Sequence, residues 1–513
     1  MAKKNEIAEF GDFQTPEKLA KAVCNLLAHR GIQPASVIEP TCGLGNLLFA
    51  AVQRFPDIDR AVGYDINQYH VDWANHRIAQ NQVDAKIQIT QGDFFQMDWP
   101  ALIRALPEPI LVIGNPPWVT NAHLGSLGST NLPEKSNFQG HSGFDAMTGK
   151  SNFDISEWML MRILEWLDGK NATLAMLCKT AVARKLLQHA WKNERKISDA
   201  AIFNIDAAKH FGAAVEASLL MVTSAVKRGA NTAAVYPTLS STKPSSILAY
   251  QNGAVLADLK SYERWRHLES IVPVKWRSGI KHDCSKVMEL RREGSAFRNG
   301  LDELVELEET YVFPMLKSSD VANGGTRVGR RWMLVPQRYV GEDTLRIQRL
   351  APRTWQYLQA HRDLMERRGS SIYKGQPPFS IFGVGDYSYA PWKVAISGFY
   401  KRLHFRLVSP VETKPTMLDD TCYFLPCDTK EEAETLVSML NTTPAGEFFS
   451  AYVFWDAKRP ITVDLLKRLS LRALANELGV DVTLLGRWSS EESPATRKKH
   501  RMKNTLPAEP LLW

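Results

Sequence analysis

The sequence predicts an α/β protein, with a Rossmann-like, mostly parallel sheet in the first half and an α+β domain in the second. Two observations predict this division. Residues 1–225 alternate between helical segments and short apolar strands, which is typical of βαβ units. The 513 residues are also too many for one hydrophobic core, so two large domains are expected.

The elements of the first half follow in a regular order. A helix is predicted over 16–31, where "PEKLAKAVCNLLAHRG" has helical apolar spacing and ends on glycine. Four strands with unusual ends come next: "ASVIEP" before "TCGLG", then "RAVGYDIN", "AKIQITQGDFF" and "PILVIGNPPW". Helices are predicted at "QYHVDWANHRIAQNQ" and "ISEWMLMRILEWLDGK", and further strands at "ATLAMLCKT" and "ASLLMVTSAV". Strands and helices therefore alternate as a parallel sheet requires.

Composition marks the predicted boundaries. Residues 119–150 are rich in Gly, Ser and Asn, and such a long irregular segment after a strand end predicts a flap over a site, with an idle surface insertion as the alternative. "GANTAAVYPTLSSTKPSS" is typical of a linker, predicted over 229–249. We expect a first domain over 1–228, a second over 250–475, and a basic tail over 476–513 that contains "RKKHRMK".

Charge is distributed unevenly. Residues 1–225 hold 21 Lys+Arg and 23 Asp+Glu, and subtraction from the totals of 63 and 55 leaves 42 and 32 for the remainder. The first part therefore has a net charge of −2 and the second +10, which indicates that a polyanion contacts mainly the second half.

Several classes are excluded. The N-terminus has no apolar core typical of a signal peptide, and no apolar run reaches about 18 residues, so we expect a cytoplasmic protein with no membrane partner. The six cysteines are scattered, without a second Cys or His pair at zinc-ligand spacing. No metal site is predicted.

Consecutive strand ends carry residues suited to a ligand. Gly43 and Gly45 let the backbone approach a ligand closely. Asp65 ends the next strand, where a carboxylate can accept both hydroxyls of a ribose, and Asp93 ends the third, before Phe94. Because ligands collect at the carboxyl ends of parallel strands, these acids predict a nucleoside-binding site.

The fourth strand ends in "NPPW". Pro116 holds Asn115 extended, and both Pro116 and Pro117 have fixed φ and lack an N–H. What remains is a stiff rim of acceptors, namely the Asn115 side-chain oxygen and the Pro116 carbonyl. Such a rim suits an aromatic amino group, which donates two hydrogens, and Trp118 offers a ring for stacking.

The order "FGDFQTP", "EPTCGLG", "GYDIN", "GDFF", "NPPW" resembles the gamma group of DNA adenine-N6 methyltransferases of restriction-modification systems. The resemblance implies a seven-stranded methyltransferase sheet, S-adenosyl-L-methionine as cofactor, and a C-terminal target-recognition domain. Asn115, Pro116, Pro117 and Trp118 would form the catalytic motif, and Phe211 would contact the far side of a flipped adenine. The implied cofactor-binding residues are Thr15, Glu39, Thr41, Gly43, Gly45, Asp65, Ile66, Asp93 and Phe94.

The second half interleaves basic and aromatic residues, and "WRSGIKHDCSKV" is similar to the opening of related recognition domains. We expect double-stranded DNA as the partner of a monomer, with a separate restriction endonuclease as a candidate partner. Candidate phosphate or base contacts are Lys281, Arg330, Arg331, Lys374, Lys393, Lys401, Arg402, Lys458 and Arg459.

Three other planar amines and a non-catalytic role remain open as alternatives at this point. Asn-Pro-Pro-aromatic also serves guanine-N2 and protein-glutamine methyltransferases, and cytosine N4 is chemically close. Cytosine-C5 methylation needs a nucleophilic cysteine, for which only Cys427 follows a proline outside the cofactor loop, and a structural thiol is the better interpretation. A fused nuclease would precede the Thr-Pro segment. Because that segment begins about ten residues into the sequence, we expect methylation without cleavage. A non-catalytic DNA-binding subunit would not need these site residues.

Overall fold

A computed structural model describes residues 13–80, 86–119, 154–227, 229–272, 274–324 and 329–489. The chain divides into two compact units, Met1–Leu259 and Lys260–Trp513, and each is described by itself. Within the described ranges, no helix is both long and apolar enough to cross a bilayer.

The first unit is built on a ten-stranded sheet. Its strands are β1 (Ser36–Glu39), β2 (Arg60–Asp65), β3 (Ile87–Gln91), β4 (Ile110–Gly114), β5 (Ala172–Lys179), β6 (Ile197–Ile205), β7 (Ala217–Ser224), β8 (Thr232–Tyr236), β9 (Ser246–Gln251) and β10 (Ala254–Leu256). Their order across the sheet is β10-β9-β8-β6-β7-β5-β4-β1-β2-β3. The five strands from β3 to β5 are parallel, and β7 lies antiparallel between β5 and β6. This arrangement confirms the predicted α/β, Rossmann-like fold.

Seven helices accompany the sheet in the described part of this unit. They are α1 (Glu17–His29), α2 (Asn46–Arg54), α3 (Gln68–Gln80), α4 (Trp99–Arg104), α5 (Ile155–Trp166), α6 (Thr180–Lys192) and α7 (Ala207–Phe211). The apolar faces of α1 and α2 share one buried cluster with sheet residues such as Val37 and Ile113. Asp98, Asp154 and Asp206 cap α4, α5 and α7 by accepting hydrogen bonds from backbone N–H groups of the first turn.

The predicted linker over 229–249 is wrong, because this segment contains β8 and the start of β9, both of which belong to the sheet. β8 pairs with β6, β9 pairs with β8, and the compact unit continues to Leu259. Ala233, Leu248 and Ala249 are buried, so these strands share the core of the unit. The Pro- and Ser-rich composition belongs to the connection between β8 and β9. The predicted flap over 119–150 lies, apart from Val119, outside the described residues.

The second unit contains two smaller sheets. Its strands are β11 (Arg277–Ser278), β12 (Glu289–Glu293), β13 (Ala296–Arg298), β14 (Leu304–Val305), β15 (Val312–Leu316), β16 (Trp332–Leu334), β17 (Trp392–Ser397), β18 (Arg406–Val408), β19 (Met417–Leu418) and β20 (Cys422–Cys427). One sheet has the order β11-β20-β17-β18 and the other β14-β13-β12-β16-β15-β19. All pairs are antiparallel except β15 with β19.

Helices surround these sheets, as expected for an α+β domain. They are α8 (Leu259–Trp265), α9 (Ser285–Met288), α10 (Ser318–Asn323), α11 (Ile347–Leu350), α12 (Pro352–Ala360), α13 (Arg362–Glu366), α14 (Lys430–Leu440), α15 (Thr443–Ser450), α16 (Val463–Leu466) and α17 (Leu471–Leu478). Short 3-10 helices lie at Arg266–Leu268, Glu309–Tyr311, Ser371–Tyr373, Asp386–Tyr389 and Val482–Trp488. The tail predicted from 476 therefore begins inside folded structure, and the segment "RKKHRMK" lies outside the described residues.

Candidate active site

The predicted site residues of the first unit gather at one edge of the sheet. β1 lies between β2 and β4, and all three run in the same direction. Their carboxyl ends therefore meet at one edge, which brings together the glycine loop after β1, Asp65 at the end of β2 and Asn115 after β4.

The glycine loop requires its glycines. Gly43 and Gly45 have φ values of +51° and +77°, which lie in the left-handed region that favours glycine. A Cβ atom on Gly43 would clash with the Gln14 side-chain oxygen Oε1. The Gln14 Oε1 atom accepts a hydrogen bond from Leu44 N (3.0 Å), so the segment before α1 covers this loop.

Thr15 belongs to the same covering segment. Its side chain is buried, and its carbonyl accepts a hydrogen bond from Asn46 Nδ2 at 2.9 Å. Glu39 is also buried, and its Oε2 atom accepts a hydrogen bond from Leu48 N at 2.9 Å. Burial raises the pKa of the Glu39 carboxyl well above its usual range. Thr41, which lies between Glu39 and the glycine loop in the sequence, is partly buried.

Asp65 links the end of β2 to the glycine loop. Its Oδ2 atom accepts a hydrogen bond from Gly43 N at 2.8 Å. Its Oδ1 atom accepts one from Asn67 N at 2.9 Å and lies 3.3 Å from His70 Nδ1. A carboxylate offers about four acceptor positions, so Oδ2 retains capacity for a hydroxyl group. Beside it, the Ile66 side chain is 50% exposed and offers an apolar face.

Asp93 and Phe94 follow β3. The Asp93 carboxylate accepts hydrogen bonds from Phe95 N at 3.0 Å and Gln96 Nε2 at 2.8 Å, which hold the turn. Phe94 is buried in a cluster of aromatic rings, with its centroid 5.1 Å from that of Trp99. The neighbouring Phe95 is only partly buried. Polar and apolar surfaces thus lie side by side here, as a purine ring requires.

The Asn115 side chain is held from one end only. Its Nδ2 atom donates a hydrogen bond to the Phe13 carbonyl at 2.8 Å. Its Oδ1 atom is buried and has no hydrogen-bond partner among the residues that the structure describes. A buried carbonyl oxygen left without a donor costs about 1–3 kcal/mol, so this atom is poised to accept a hydrogen bond from a ligand.

Three aromatic rings lie beside Asn115. The Trp118 ring is 5.1 Å from Phe211 and 5.8 Å from Phe13, measured between centroids, and Phe13 is 6.1 Å from Phe211. The structure thus brings together Trp118 and Phe211, which the sequence predicts, and adds Phe13, which sequence reasoning missed. Trp118 is only 6% exposed, because the rings pack directly on one another. A planar base can therefore enter this cluster only if one of the rings moves.

Lys179 is a second residue that sequence reasoning missed. It ends β5, next to β4 in the sheet. Its Nζ atom donates to the Trp118 carbonyl at 2.9 Å and pairs with Asp154 Oδ2 at 2.6 Å. The Trp118 indole Nε1 donates to the Leu177 carbonyl at 3.4 Å. β5 thus holds both the backbone and the ring of Trp118. A cation directly after the apolar run "ATLAMLC" was the available signal.

The predicted DNA contacts of the second unit are mostly exposed. Arg330, Lys374, Lys401, Arg402 and Lys458 are exposed. Lys281 pairs with Asp283 at 3.2 Å, Arg331 lies 3.6 Å from Asp320, and the exposed Arg459 lies over the Phe399 ring at 4.5 Å. These side chains stay predictions as DNA contacts.

For Lys393, the structure contradicts the predicted DNA contact. Its side chain is 1% exposed within β17, and Nζ donates to the Ala390 carbonyl at 2.7 Å. Burial lowers its pKa to about 7. A side chain this enclosed cannot contact a phosphate, so the predicted role is wrong. Cys427, the one residue considered for cytosine-C5 chemistry, is fully buried in β20.

Comparison with known proteins agrees with this geometry. Residues 1–183 match the family of N-6 DNA methylases. The chain is 45% identical over 471 residues to the type II methyltransferase M.NspV from Nostoc sp., covering 91% of this chain and 97% of that protein. It also aligns, at 14% identity and a TM-score of 0.49, with the type IIL restriction-modification enzyme MmeI solved in complex with DNA, over 98% of this chain and 73% of the other.

The relative from Nostoc matches across both units, and the family match covers the glycine loop, Asp65, Asp93 and the Asn-Pro-Pro-Trp rim. The chain therefore belongs to the restriction-modification type of DNA methyltransferases that transfer a methyl group from S-adenosyl-L-methionine to N6 of adenine.

Proposed function

We propose that Asn115, Pro116, Pro117 and Trp118 hold the target adenine and activate its N6 amino group. The observation that carries the proposal is the buried Asn115 Oδ1 atom, which has no partner among the described residues. Its side chain cannot turn freely, because Nδ2 is fixed on the Phe13 carbonyl. The oxygen therefore presents a preorganised acceptor at the edge where the cofactor-binding loop lies.

The chemistry follows from the amine. The lone pair of an exocyclic amine is delocalised into the ring, so the nitrogen is a weak nucleophile. Asn115 Oδ1 and the Pro116 carbonyl accept its two hydrogens and favour a pyramidal nitrogen whose lone pair can attack. The cofactor supplies an electrophilic methyl group on a sulfonium. The chain's own residues orient the amine and need form no covalent bond with the base. The sulfonium would leave as a neutral thioether, and one amine hydrogen would leave the nitrogen as a proton to solvent.

We propose that the adenine reaches this rim by turning out of duplex DNA. Unstacking and unpairing cost a few kcal/mol. Stacking on an aromatic side chain returns about 1–3 kcal/mol. Trp118 and Phe211 supply such rings, and Phe13 is a third ring of the same cluster. Because these rings contact one another, base entry separates them.

We propose that the cofactor lies across the strand ends. The residues fit it: Gly43 and Gly45 permit close approach of the backbone, Asp65 Oδ2 retains capacity for a ribose hydroxyl, and Ile66 offers an apolar face. Asp93 and Phe94 are assigned to the adenine end. Thr15, Glu39 and Thr41 are assigned to the methionine and ribose portions.

The second unit is proposed as the part that recognises the DNA sequence, since residues 226–513 carry the basic excess of the chain. We propose further that the enzyme acts in the cytoplasm as a monomer, alongside a separate restriction endonuclease of the same specificity.

The first prediction tests the rim. Asn115→Ala should lower kcat for DNA methylation by about 10²–10³-fold or more, because a single preorganised polar group in an active site is typically worth that much. The dissociation constants for S-adenosylmethionine and duplex DNA should stay within about twofold. Transfer of a tritiated methyl group gives kcat, and mass spectrometry of the digested DNA identifies the modified nucleoside.

Asn193→Ala is the matched control, because this asparagine is exposed and bonds only to the end of its own helix in the described contacts. It should behave as wild type. Wild-type turnover of Asn115→Ala, or N4-methylcytosine as the product of the wild-type enzyme, would contradict the proposal.

A further inference from the structure

Two neighbouring loops of the second unit present apolar side chains to solvent. The first covers 337–346 and the second covers 371–380. A Cβ atom built on Gly341 would lie 3.9 Å from Gln376 Oε1, so the two tips are adjacent. We call residues 338–341 and 372–376 the Tyr339 surface.

The first loop is held rigidly from below by buried polar side chains. Gln337 is fully buried, and its amide donates to the Glu342 carbonyl at 2.6 Å and accepts from Ile381 N at 2.9 Å. Glu342, also buried, accepts a hydrogen bond from Arg338 N and pairs with Arg346 at 2.7 Å. These bonds close the turn on itself, so its tip is fixed before any partner arrives.

The second loop is also held by hydrogen bonding and by burial. Thr344 Oγ1 of the first loop donates to the Pro378 carbonyl at 2.6 Å, which ties the loops together. Phe379 is buried and holds a φ of +61°, a left-handed conformation that is unfavourable for a bulky residue. Such conformations persist only where the surroundings enforce them, and they concentrate at functional sites.

The residues at the base of these loops are buried and hydrogen-bonded, whereas the side chains at the tips are exposed. The Tyr339 side chain is 60% exposed, and Val340 and Ile372 are also among the exposed large apolar residues. Exposed apolar residues usually occur singly. A hydrogen-bonded turn that exposes an aromatic ring and an aliphatic side chain to water is suited to bind a partner, because folding gains nothing from their exposure.

The charge of the Tyr339 surface indicates the kind of partner. Residues 338–341 and 372–376 include Arg338 and Lys374 and no acidic residue, a net charge of +2. Lys374 is exposed at one tip, and Arg338 lies over the Tyr389 ring at 4.9 Å beside the other. Aromatic and aliphatic side chains flanked by cations are suited to nucleic acid, where the ring contacts bases and the cations contact phosphates.

We propose that the Tyr339 surface contacts duplex DNA directly, with the Tyr339 ring packed on a base or deoxyribose and Lys374 on a phosphate. The inference rests on the proposed role of the second unit in DNA recognition, and it assigns that role to one pair of loops. Tyr339 acts on affinity for DNA and not on methyl transfer itself.

The experiment measures DNA affinity without catalysis. Full-length protein is titrated into a fluorescent duplex carrying the sequence that the wild-type enzyme methylates, with S-adenosylhomocysteine present, and anisotropy gives Kd. We expect Tyr339→Ala to raise Kd about tenfold, in line with the loss of one stacked contact. Tyr339→Phe should restore most of the affinity. Lys374→Ala should weaken binding to all duplexes and lower the salt dependence of log Kd by about one.

Leu304→Ala is the control, because Leu304 is 58% exposed on β14 of the same unit, nearly as exposed as Tyr339. It should bind as wild type, and all variants should keep the wild-type thermal midpoint and cofactor affinity. Wild-type Kd for Tyr339→Ala would overturn the proposal, as would an equal loss in Leu304→Ala. A changed solution mass with unchanged Kd would assign the surface to a protein partner instead.

The test separates this inference from the proposed chemistry. If the Tyr339 variants bind normally while the wild-type enzyme still forms N6-methyladenine, the surface is wrong and the rim stands. If the wild-type product is another base while Tyr339→Ala loses affinity, the rim assignment fails and the surface stands.

Discussion

The two units of this enzyme use their polar side chains differently. In the first unit, the side chains assigned to chemistry follow parallel strands, so residues distant in sequence, such as Asp65 and Asn115, reach one edge of one sheet. In the second unit, which has small antiparallel sheets, cations close together in the sequence differ in burial. Lys393 lies inside the core, whereas Lys401, only eight positions later in the numbering, is exposed.

The difference explains which predictions the structure supports. A parallel sheet converts order along the chain into position in space, because every strand ends on the same side. An antiparallel sheet of short strands gives no such rule. There, the packing around each residue decides whether a cation is exposed to a phosphate or enclosed. The following predictions test this contrast, beginning with the largest expected effect.

The largest of these effects is expected at the edge of the parallel sheet. Asp65→Asn should raise the dissociation constant for S-adenosylmethionine about ten- to a hundredfold, because hydrogen bonds to a charged group are worth about 1.5–3 kcal/mol. Isothermal titration calorimetry measures the constant. Asp72→Asn is the matched control on α3, where the carboxylate is exposed and bonds to Gln68. Unchanged affinity in Asp65→Asn would remove the carboxylate from the cofactor site.

The second concerns support of the rim by its neighbouring strand. Lys179→Met should lower kcat about tenfold while leaving cofactor affinity within about twofold, because the Trp118 carbonyl loses a charged donor and the rim shifts. Lys179→Arg should recover part of the rate. Lys192→Met, at an exposed position of α6, should have no effect. A fall in cofactor affinity with normal kcat would contradict a positioning role for Lys179.

The third concerns the interior of the second unit. Lys393→Met should raise the thermal midpoint by a few degrees at pH 7, since about 1 kcal/mol shifts the midpoint by about 2–4 °C in units of this size. The gain exceeds the cost of losing one hydrogen bond to Ala390.

The pH dependence of the thermal midpoint tests whether burial of the Lys393 charge causes this effect. The folded pKa of Lys393 is lowered to about 7 from the ordinary 10.5, so the unfolded chain binds more protons between these values. Wild-type stability arising from this group therefore increases as pH rises from about 7 to 10.5. The advantage of Lys393→Met should be largest below pH 7 and fade towards pH 10.5, as thermal scans at several pH values can measure. Lys401→Met should show no such trend, and a constant advantage would exclude burial of the charge as its origin.

Much of the first unit could be predicted because its signals are local. Apolar runs ending in "EP", "YDIN", "DFF" and "NPPW" predicted the parallel strands, and their spacing placed Asp65 and Asn115 on one edge. Phe211 could be assigned to the rim only through the family resemblance, and it does lie against Trp118. The linker was the main error, since β8 and β9 extend the sheet despite their Pro- and Ser-rich connection.

The contacts of Phe13, Lys179 and the Tyr339 surface could not be predicted from the sequence, for a shared reason. Each acts through a contact with residues distant in the sequence: Phe13 with Asn115, Lys179 with Trp118, and Gly341 with Gln376. No periodicity or motif records such pairs.

The sequence by itself determined the class of reaction, methyl transfer to a planar amine, because an amine acceptor after β4 and a glycine loop after β1 are chemical requirements that specific residue types must meet. Only the tertiary structure decided which side chains lie around Asn115 and which cations of the second unit are exposed. Hydrogen bonding and burial depend on distances of a few ångströms between segments, and those distances are set by packing across the whole unit.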